Sequence, residues 1–236
     1  MNATNTPLNV LIIGASRGLG LAIVEQYLLR GDQVIATARS ANSPGLLALQ
    51  KDFPEQLRIE LLDITHPQQV AALKKRLVNA EVTLDFLFVN AGVTNEPTQT
   101  IADVSTEDFN WVMLTNTLSP MRVIDALQDV VAENGSIGVM SSGQGSITNN
   151  SNGLRDVYRA SKAALNMLMK GFVARHPLPT RTFFIMAPGW VKTDLGGEDA
   201  RYTVKETIPK LVNTLELHRG ETGLHYLDFQ DQRVPW

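Results

Sequence analysis

Tyr158 and Lys162 stand four residues apart, so on a helix their phenol and ammonium share one face. A free phenol has a pKa of about 10, too high for ready proton exchange at neutral pH. A neighbouring positive charge favours the phenolate and lowers that value, which would make the pair a proton donor and acceptor. Tyrosine and lysine at this spacing are also common on solvated helices. What sets this stretch apart is its small residues, Ala160, Ser161, Ala163 and Ala164, which let the helix lie close against a neighbour or a cofactor. Upstream, Ser141-Ser142-Gly143 follows an apolar run. A serine hydroxyl there can hydrogen-bond a substrate carbonyl, although serine and glycine equally favour a plain turn.

The second chemical element is Gly14-Ala15-Ser16-Arg17-Gly18-Leu19-Gly20, between an apolar run and a helical pattern. Glycines there allow a sharp turn and let a pyrophosphate approach the N–H groups of the helix end. The spacing is G-x-x-x-G-x-G, not the G-x-G-x-x-G of the usual dinucleotide fingerprint, and a strand-to-helix turn also favours glycine. Gly14, Ser16 and Gly18 satisfy G-x-S-x-G as well, the nucleophile elbow of acyl hydrolases. In that reading Ser16 is the nucleophile, and His218 or His225 serves as its base. An elbow follows several strands of its sheet, however, and this one follows the first. Its oxyanion-hole loop would have to precede residue 14, where only a short polar tail stands. The hydrolase is the weaker reading.

Polar residues recur where further apolar runs end: Thr37-Ala38-Arg39-Ser40, then Asp63 with Ile64, then Asn90-Ala91-Gly92. Carboxyl ends of parallel strands face the ligand crevice of such sheets. Any one polar residue there is commonly a loop cap; the recurrence is what points to a site. An acidic residue after the second strand would bond a ribose 2′-hydroxyl and repel a 2′-phosphate. Here Ala38 precedes Arg39, and Arg17 lies in the glycine loop. Two guanidinium groups suit a phosphate, so these residues favour NADP over NAD.

The elements that must position these groups follow from periodicity. Continuous apolar runs at Leu8–Ile13, Val34–Ala38, Leu57–Leu62, Leu84–Val89, Ser136–Met140 and Arg181–Met186 read as buried strands. Helical patterns fall between them: Leu19–Arg30 with Gly31 as its stop, a polar-faced helix after Thr65-His66-Pro67, and Ser105–Val131 bent near Ser119-Pro120. Val157–Arg175 is helical too, then a loop at Gly196–Asp199, a helix near Val204–Leu217 and a last strand at Leu224–Phe229. Strand and helix alternate throughout, and the strands are largely apolar rather than apolar at every second residue. This predicts an α/β fold: a doubly wound, Rossmann-like parallel sheet with helices on both faces, as a single domain over residues 1–236.

Composition sets the outer limits. The 236 residues carry a formal net charge of −3, which leaves no electrostatic footprint for nucleic acid or an anionic membrane. The chain has no cysteine, so disulfides, thiolate metal sites and a cysteine nucleophile are excluded, and no metal is expected. The N-terminus lacks a basic region, no segment is apolar for long enough to span a bilayer, and a cytoplasmic enzyme is expected. Asn2-Ala3-Thr4, Asn134-Gly135-Ser136 and Asn149-Asn150-Ser151 match the glycosylation pattern and read as chance matches.

Taken in order, these residues resemble the classical short-chain dehydrogenase/reductases over Leu8 to about Leu195. Gly14, Gly18 and Gly20 match the family's cofactor loop, and Asn90-Ala91-Gly92 its N-A-G element. Asn116 matches the catalytic asparagine, Ser142 the catalytic serine, and Tyr158 with Lys162 the Y-x-x-x-K pair. Pro188-Gly189 with Val191 and Thr193 match the segment that closes over the nicotinamide half of the cofactor. Within the family the chain is most similar to the C-factor-like carbonyl reductases, through Tyr158–Asn166, Pro188–Gly197 and the terminal Val234-Pro235-Trp236. It departs from the pattern in a longer stretch between Ser142 and Tyr158, which leaves Ser141 as the alternative serine, and in Gln232 where the branch often has glycine.

The resemblance implies NADPH-dependent reduction of a small carbonyl compound, or the reverse oxidation of an alcohol. Tyr158 would donate the proton, Lys162 would bind ribose hydroxyls and lower the Tyr158 pKa, Ser142 would hold the carbonyl oxygen, and Asn116 would position a water relay behind Lys162. It also implies a homo-oligomer, dimer or tetramer, paired through Ser105–Val131 and Val157–Arg175. The loops Thr94–Thr100, Gly143–Asp156 and Leu195–Thr203 are expected around the substrate, with Tyr202 their only aromatic residue. A cofactor-gated sensor on the same fold is the non-enzymatic alternative.

Overall fold

Successive residues of each apolar run face opposite sides of one sheet, and both sides are dry. Val10 and Ile12 of β1 (Asn9–Ile13) pack into one hydrophobic cluster, Leu11 and Ile13 into a second on the other face. A computed structural model describes residues 6–177 and 179–236; the Asn2-Ala3-Thr4 pattern lies outside them. From β1 the chain runs through α1 (Gly18–Leu29), β2 (Gln33–Ala38), α2 (Pro44–Asp52), β3 (Leu57–Leu61) and α3 (Pro67–Asn79). β4 (Leu84–Val89) is followed by α4 (Thr106–Met113), a π-helical turn (Leu114–Leu118) and α5 (Ser119–Leu127). β5 (Val131–Met140), α6 (Asp156–Arg175), β6 (Thr182–Ala187), α7 (Val204–Leu217) and β7 (Gly223–Asp228) complete it.

All six strand pairings are parallel, in the order β3-β2-β1-β4-β5-β6-β7. One cluster packs α3, α5 and α6 on the sheet through Leu73, Ile124 and Phe172. The other packs α1, α2 and α7 on the opposite face through Ile23, Leu46 and Leu211. This is the doubly wound sheet expected from the alternation. The strand order reverses between β1 and β4, so the loops after these two strands diverge and open a crevice at their carboxyl ends. Among the described residues no helix is long and apolar enough to cross a membrane.

Three local expectations change. The helix expected over Ser105–Val131 is interrupted beside Ser119-Pro120 by a π-helical turn at Leu114–Leu118, which runs into α5 with Pro120 as its second residue. Val131 is not helical: it pairs with Leu84, while Phe86 pairs with Ser136. The polar residues 132–135 are absorbed there as an irregularity in β5, which a search for continuous apolar runs passes over. α2 went unseen in the sequence because only Leu46 of its face is buried.

Candidate active site

The turn after β1 is shaped by two glycines. Gly14 has φ +83°, a left-handed conformation, and a Cβ on it would lie 2.7 Å from the Ala91 Cβ. A Cβ on Gly20, in the first turn of α1, would strike the Gly14 carbonyl oxygen and lie 2.6 Å from Asn90 Nδ2. That amide instead donates to the Gly14 carbonyl at 2.8 Å, and Thr37 Oγ1 accepts from the Gly14 N–H at 3.0 Å. The ends of β1, β2 and β4 are thus tied into one cradle at the start of α1. Its missing Cβ atoms leave the room a pyrophosphate needs against the helix end, so the residues fit a dinucleotide.

α6 carries the tyrosine and lysine, and the π-helical turn anchors it. Thr117 Oγ1 donates to the Ser161 carbonyl at 2.8 Å, and Asn116 Nδ2 donates to Ser161 Oγ at 3.0 Å. The same Asn116 amide donates to the Val93 carbonyl and accepts from the Val93 N–H, both at 2.8 Å. Asn116 is fully buried and does not reach the cavity. Both its amide hydrogens are taken, and its side chain braces Val93 against α6.

Lys162 Nζ donates to the Met140 carbonyl at 2.9 Å and lies 5.8 Å from the Tyr158 ring centroid. Burial brings its pKa down to about 8. Tyr158 is buried as well, and burial pushes its phenol above the ordinary value; the Ser142 hydroxyl and the Arg155 charge pull it partway back. Arg155 thus adds a second positive charge on the phenol's side of the cavity, beside Lys162. Ser142 Oγ accepts from the Gln144 N–H at 3.1 Å, which leaves its own proton free to donate. Ser141 Oγ is buried and donates to Asn166 Oδ1 at 2.6 Å. Tyr226 fixes the Ser142 backbone, its hydroxyl donating to that carbonyl at 2.7 Å.

These groups line one cavity of about 610 Å³ running from the glycine loop to Tyr158. Of the catalytic and cofactor-binding residues that the family resemblance implies, only Gly20 and Asn116 are absent from its wall, both packed just behind it. Arg17 and Arg39 line the same end, but Arg17 is ion-paired with Asp194 at 2.9 Å and both side chains are solvated. Asp63 also lines it, with its carboxylate occupied by the Thr65 N–H and hydroxyl at 2.9 and 2.7 Å. These bonds outweigh its partial burial and hold its pKa below the usual value.

The substrate end differs from expectation. Tyr202 does not line the cavity; it packs against Phe229 at 5.0 Å between centroids. Two of the expected loops do line the cavity, through Gln144 and Arg155 of Gly143–Asp156 and Leu195 and Gly196 of Leu195–Thr203. None of Thr94–Thr100 does, and Trp111, Leu114 and Trp190 join the wall unforeseen. Trp190 is held by a 2.7 Å bond from its Nε1 to the Gly196 carbonyl. It lies inside Pro188–Gly197, the segment matched to the family, and its position there was the available signal. No histidine lines the cavity: His218 and His225 stand together at the far end of α7, beside Glu221 and Asp231. Ser16 has no base, and the hydrolase reading fails.

The model of the short chain dehydrogenase family matches residues 8–202, and the chain belongs to that family. A curated relative is 30% identical over 96% of this chain and 99% of its own: 1-hydroxy-2-glutathionyl-2-methyl-3-butene dehydrogenase of Rhodococcus sp. (strain AD45). A short-chain dehydrogenase/reductase from Burkholderia multivorans, crystallised with bound NADP, is 50% identical with a TM-score of 0.95, over 98% of this chain and 100% of its own. A carbonyl reductase from Pseudomonas aeruginosa PAO1 in complex with NADP is 34% identical with a TM-score of 0.90, at the same coverage.

Proposed function

We propose that this oxidoreductase reduces the carbonyl group of a small molecule with NADPH. The observation that carries the reading is the Tyr158 phenol, buried at the cavity wall with Ser142 beside it and Lys162 one turn further along α6. When bound, the nicotinamide supplies the hydride in reduction or accepts it in the reverse reaction. Burial keeps Tyr158 protonated at neutral pH, so it can give that proton to the substrate oxygen. The free hydroxyl hydrogen of Ser142 holds the same oxygen as charge gathers on it, an oxyanion-type role. Ser141, already bonded to Asn166, is not available for it.

The glycine loop Gly14–Gly20 with Ser16 and Leu19, the Asp63-Ile64 and Asn90–Gly92 strand ends, and Pro188, Gly189, Val191 and Thr193 would hold the dinucleotide. Lys162 would hold its ribose hydroxyls. Arg39, with Arg17 once freed from Asp194, would take the 2′-phosphate, a preference supported by the NADP found in two relatives. A second copy of this chain would cover the outward face of α6, where Met167 and Leu168 stay exposed. Sedimentation equilibrium tests that pairing, and a monomer at micromolar concentration contradicts it.

NADPH oxidation across a panel of aldehydes, ketones and quinones tests the reading. Turnover with any of them supports it. Tight cofactor binding with no turnover across the panel contradicts it and favours the sensor.

A further inference from the structure

The Tyr158 end of the cavity contains a cation that neither the fold nor the proposed chemistry uses. Arg155 is the N-cap of α6, three residues before Tyr158, and lines the same cavity as Tyr158 and Lys162. Lys162 is buried against the Met140 carbonyl, whereas Arg155 is half-buried. Its charge is felt by the Tyr158 phenol.

Three features of Arg155 cost stability. It occupies the N-cap of a 20-residue helix, where the helix dipole repels a cation. Its backbone is left-handed, φ +63°, which few residues other than glycine, asparagine and aspartate adopt easily. Among the described residues its side chain has no hydrogen-bond or carboxylate partner. Neighbouring charges do not offer one: Asp156 accepts from the Ile101 N–H, and Arg159 is tied to Leu154 and Asn152. The cavity's two carboxylates, Asp63 and Asp194, are occupied at the cofactor end by Thr65 and Arg17.

The same cavity is lined by the apolar residues Val93, Leu114, Trp111 and Trp190. Thr115, Ser142 and Gln144 add polar residues to the same wall. We propose that Arg155 is a specificity residue, which selects carbonyl substrates bearing a carboxylate on an apolar frame. The planar fork of the guanidinium matches two carboxylate oxygens, and the tryptophans cover the frame. The inference names the substrate class of the reaction proposed above and rests on that reading.

The test uses a matched pair, 4-carboxybenzaldehyde and its methyl ester, which differ in charge and share the reacting aldehyde. For the wild-type protein with NADPH, kcat/KM for the acid should exceed that for the ester by about tenfold to a hundredfold, the range expected of a charge-assisted pair. Arg155→Asn, chosen because asparagine tolerates the left-handed backbone, should bring the ratio near one; Arg155→Lys should keep part of it. A purely structural Arg155 would lower both rates together and leave the ratio unchanged, which overturns the proposal. Binding to the NADP-loaded protein, followed by tryptophan fluorescence, gives an independent readout. Benzoate should bind tighter than benzamide in the wild type and no tighter in Arg155→Asn. Equal binding in the wild type overturns the proposal whatever the turnover. Arg155-dependent benzoate binding without turnover of either aldehyde upholds it and counts against the carbonyl reductase reading instead.

Discussion

Lys162 donates to the Met140 carbonyl oxygen at 2.9 Å, at the carboxyl end of β5. One backbone oxygen is a small return for a buried ammonium, and among the described residues no carboxylate pairs with it. The buried charge is therefore a cost held at the site for chemistry.

That cost is measurable as a pH-dependent stability. The folded pKa of Lys162 is about 8 against an ordinary value of 10.5, so the unfolded chain binds more protons between those limits. Stability from this group therefore rises with pH across the window of about 8 to 10.5, and the full penalty applies below it. The shift corresponds to about 3 kcal/mol, of which the lost bond to Met140 would return about 1. Lys162→Met should then be about 2 kcal/mol more stable than the wild type in urea at pH 7 without cofactor. The gap should close as pH rises through 8 toward 10. A variant less stable at pH 7 would mean that the side chain's bond and packing outweigh the burial of its charge.

The glycine loop permits no side chain at Gly20. Gly20→Ala would drive a methyl group into the Gly14 carbonyl and Asn90, breaking the 2.8 Å bond that joins β1 to β4. Overpacking of this kind costs about 1–3 kcal/mol. Urea denaturation should show that loss, and NADPH titration a matching drop in affinity. Unchanged values for both would contradict the cradle formed by the ends of β1, β2 and β4.

The sheet and most of the cavity wall were legible in the sequence for one reason. Buried strands must be apolar on both faces, so residues such as Gly14, Asp63 and Asn90 mark strand ends by contrast. The substrate end carries no such contrast. Trp111 and Leu114 flank the α4-to-π junction, where the change from a 3.6-residue repeat alters which side chains face the cavity. Tyr202 sits in a loop, and only the fold shows that Phe229 of the β7 end covers it. Arg155 had a faint signal: an arginine stands where a helix start favours serine, threonine or aspartate, three residues before the tyrosine. The bond from Lys162 to the Met140 carbonyl was not readable at all. Four residues on a helix bring two side chains to one face, and hydrogen bonding then decides where each one points.

Arg39 follows β2 with no acidic residue in the position that would bond a ribose 2′-hydroxyl. Replacing it by aspartate should weaken NADPH binding by at least about tenfold and leave NADH within a few-fold of the wild type, since the lost contact is to the 2′-phosphate. Isothermal titration with each cofactor checks this. Equal losses for both would remove Arg39 from the 2′-phosphate site.

The central claim is that Tyr158 delivers the proton. Tyr158→Phe keeps the ring in its buried site and removes only the hydroxyl. With a substrate found in the carbonyl panel and saturating NADPH, kcat should fall by about 10²- to 10⁴-fold, the usual contribution of a positioned acid, while NADPH affinity stays within a few-fold. Full NADPH-dependent reduction by Tyr158→Phe would contradict the account.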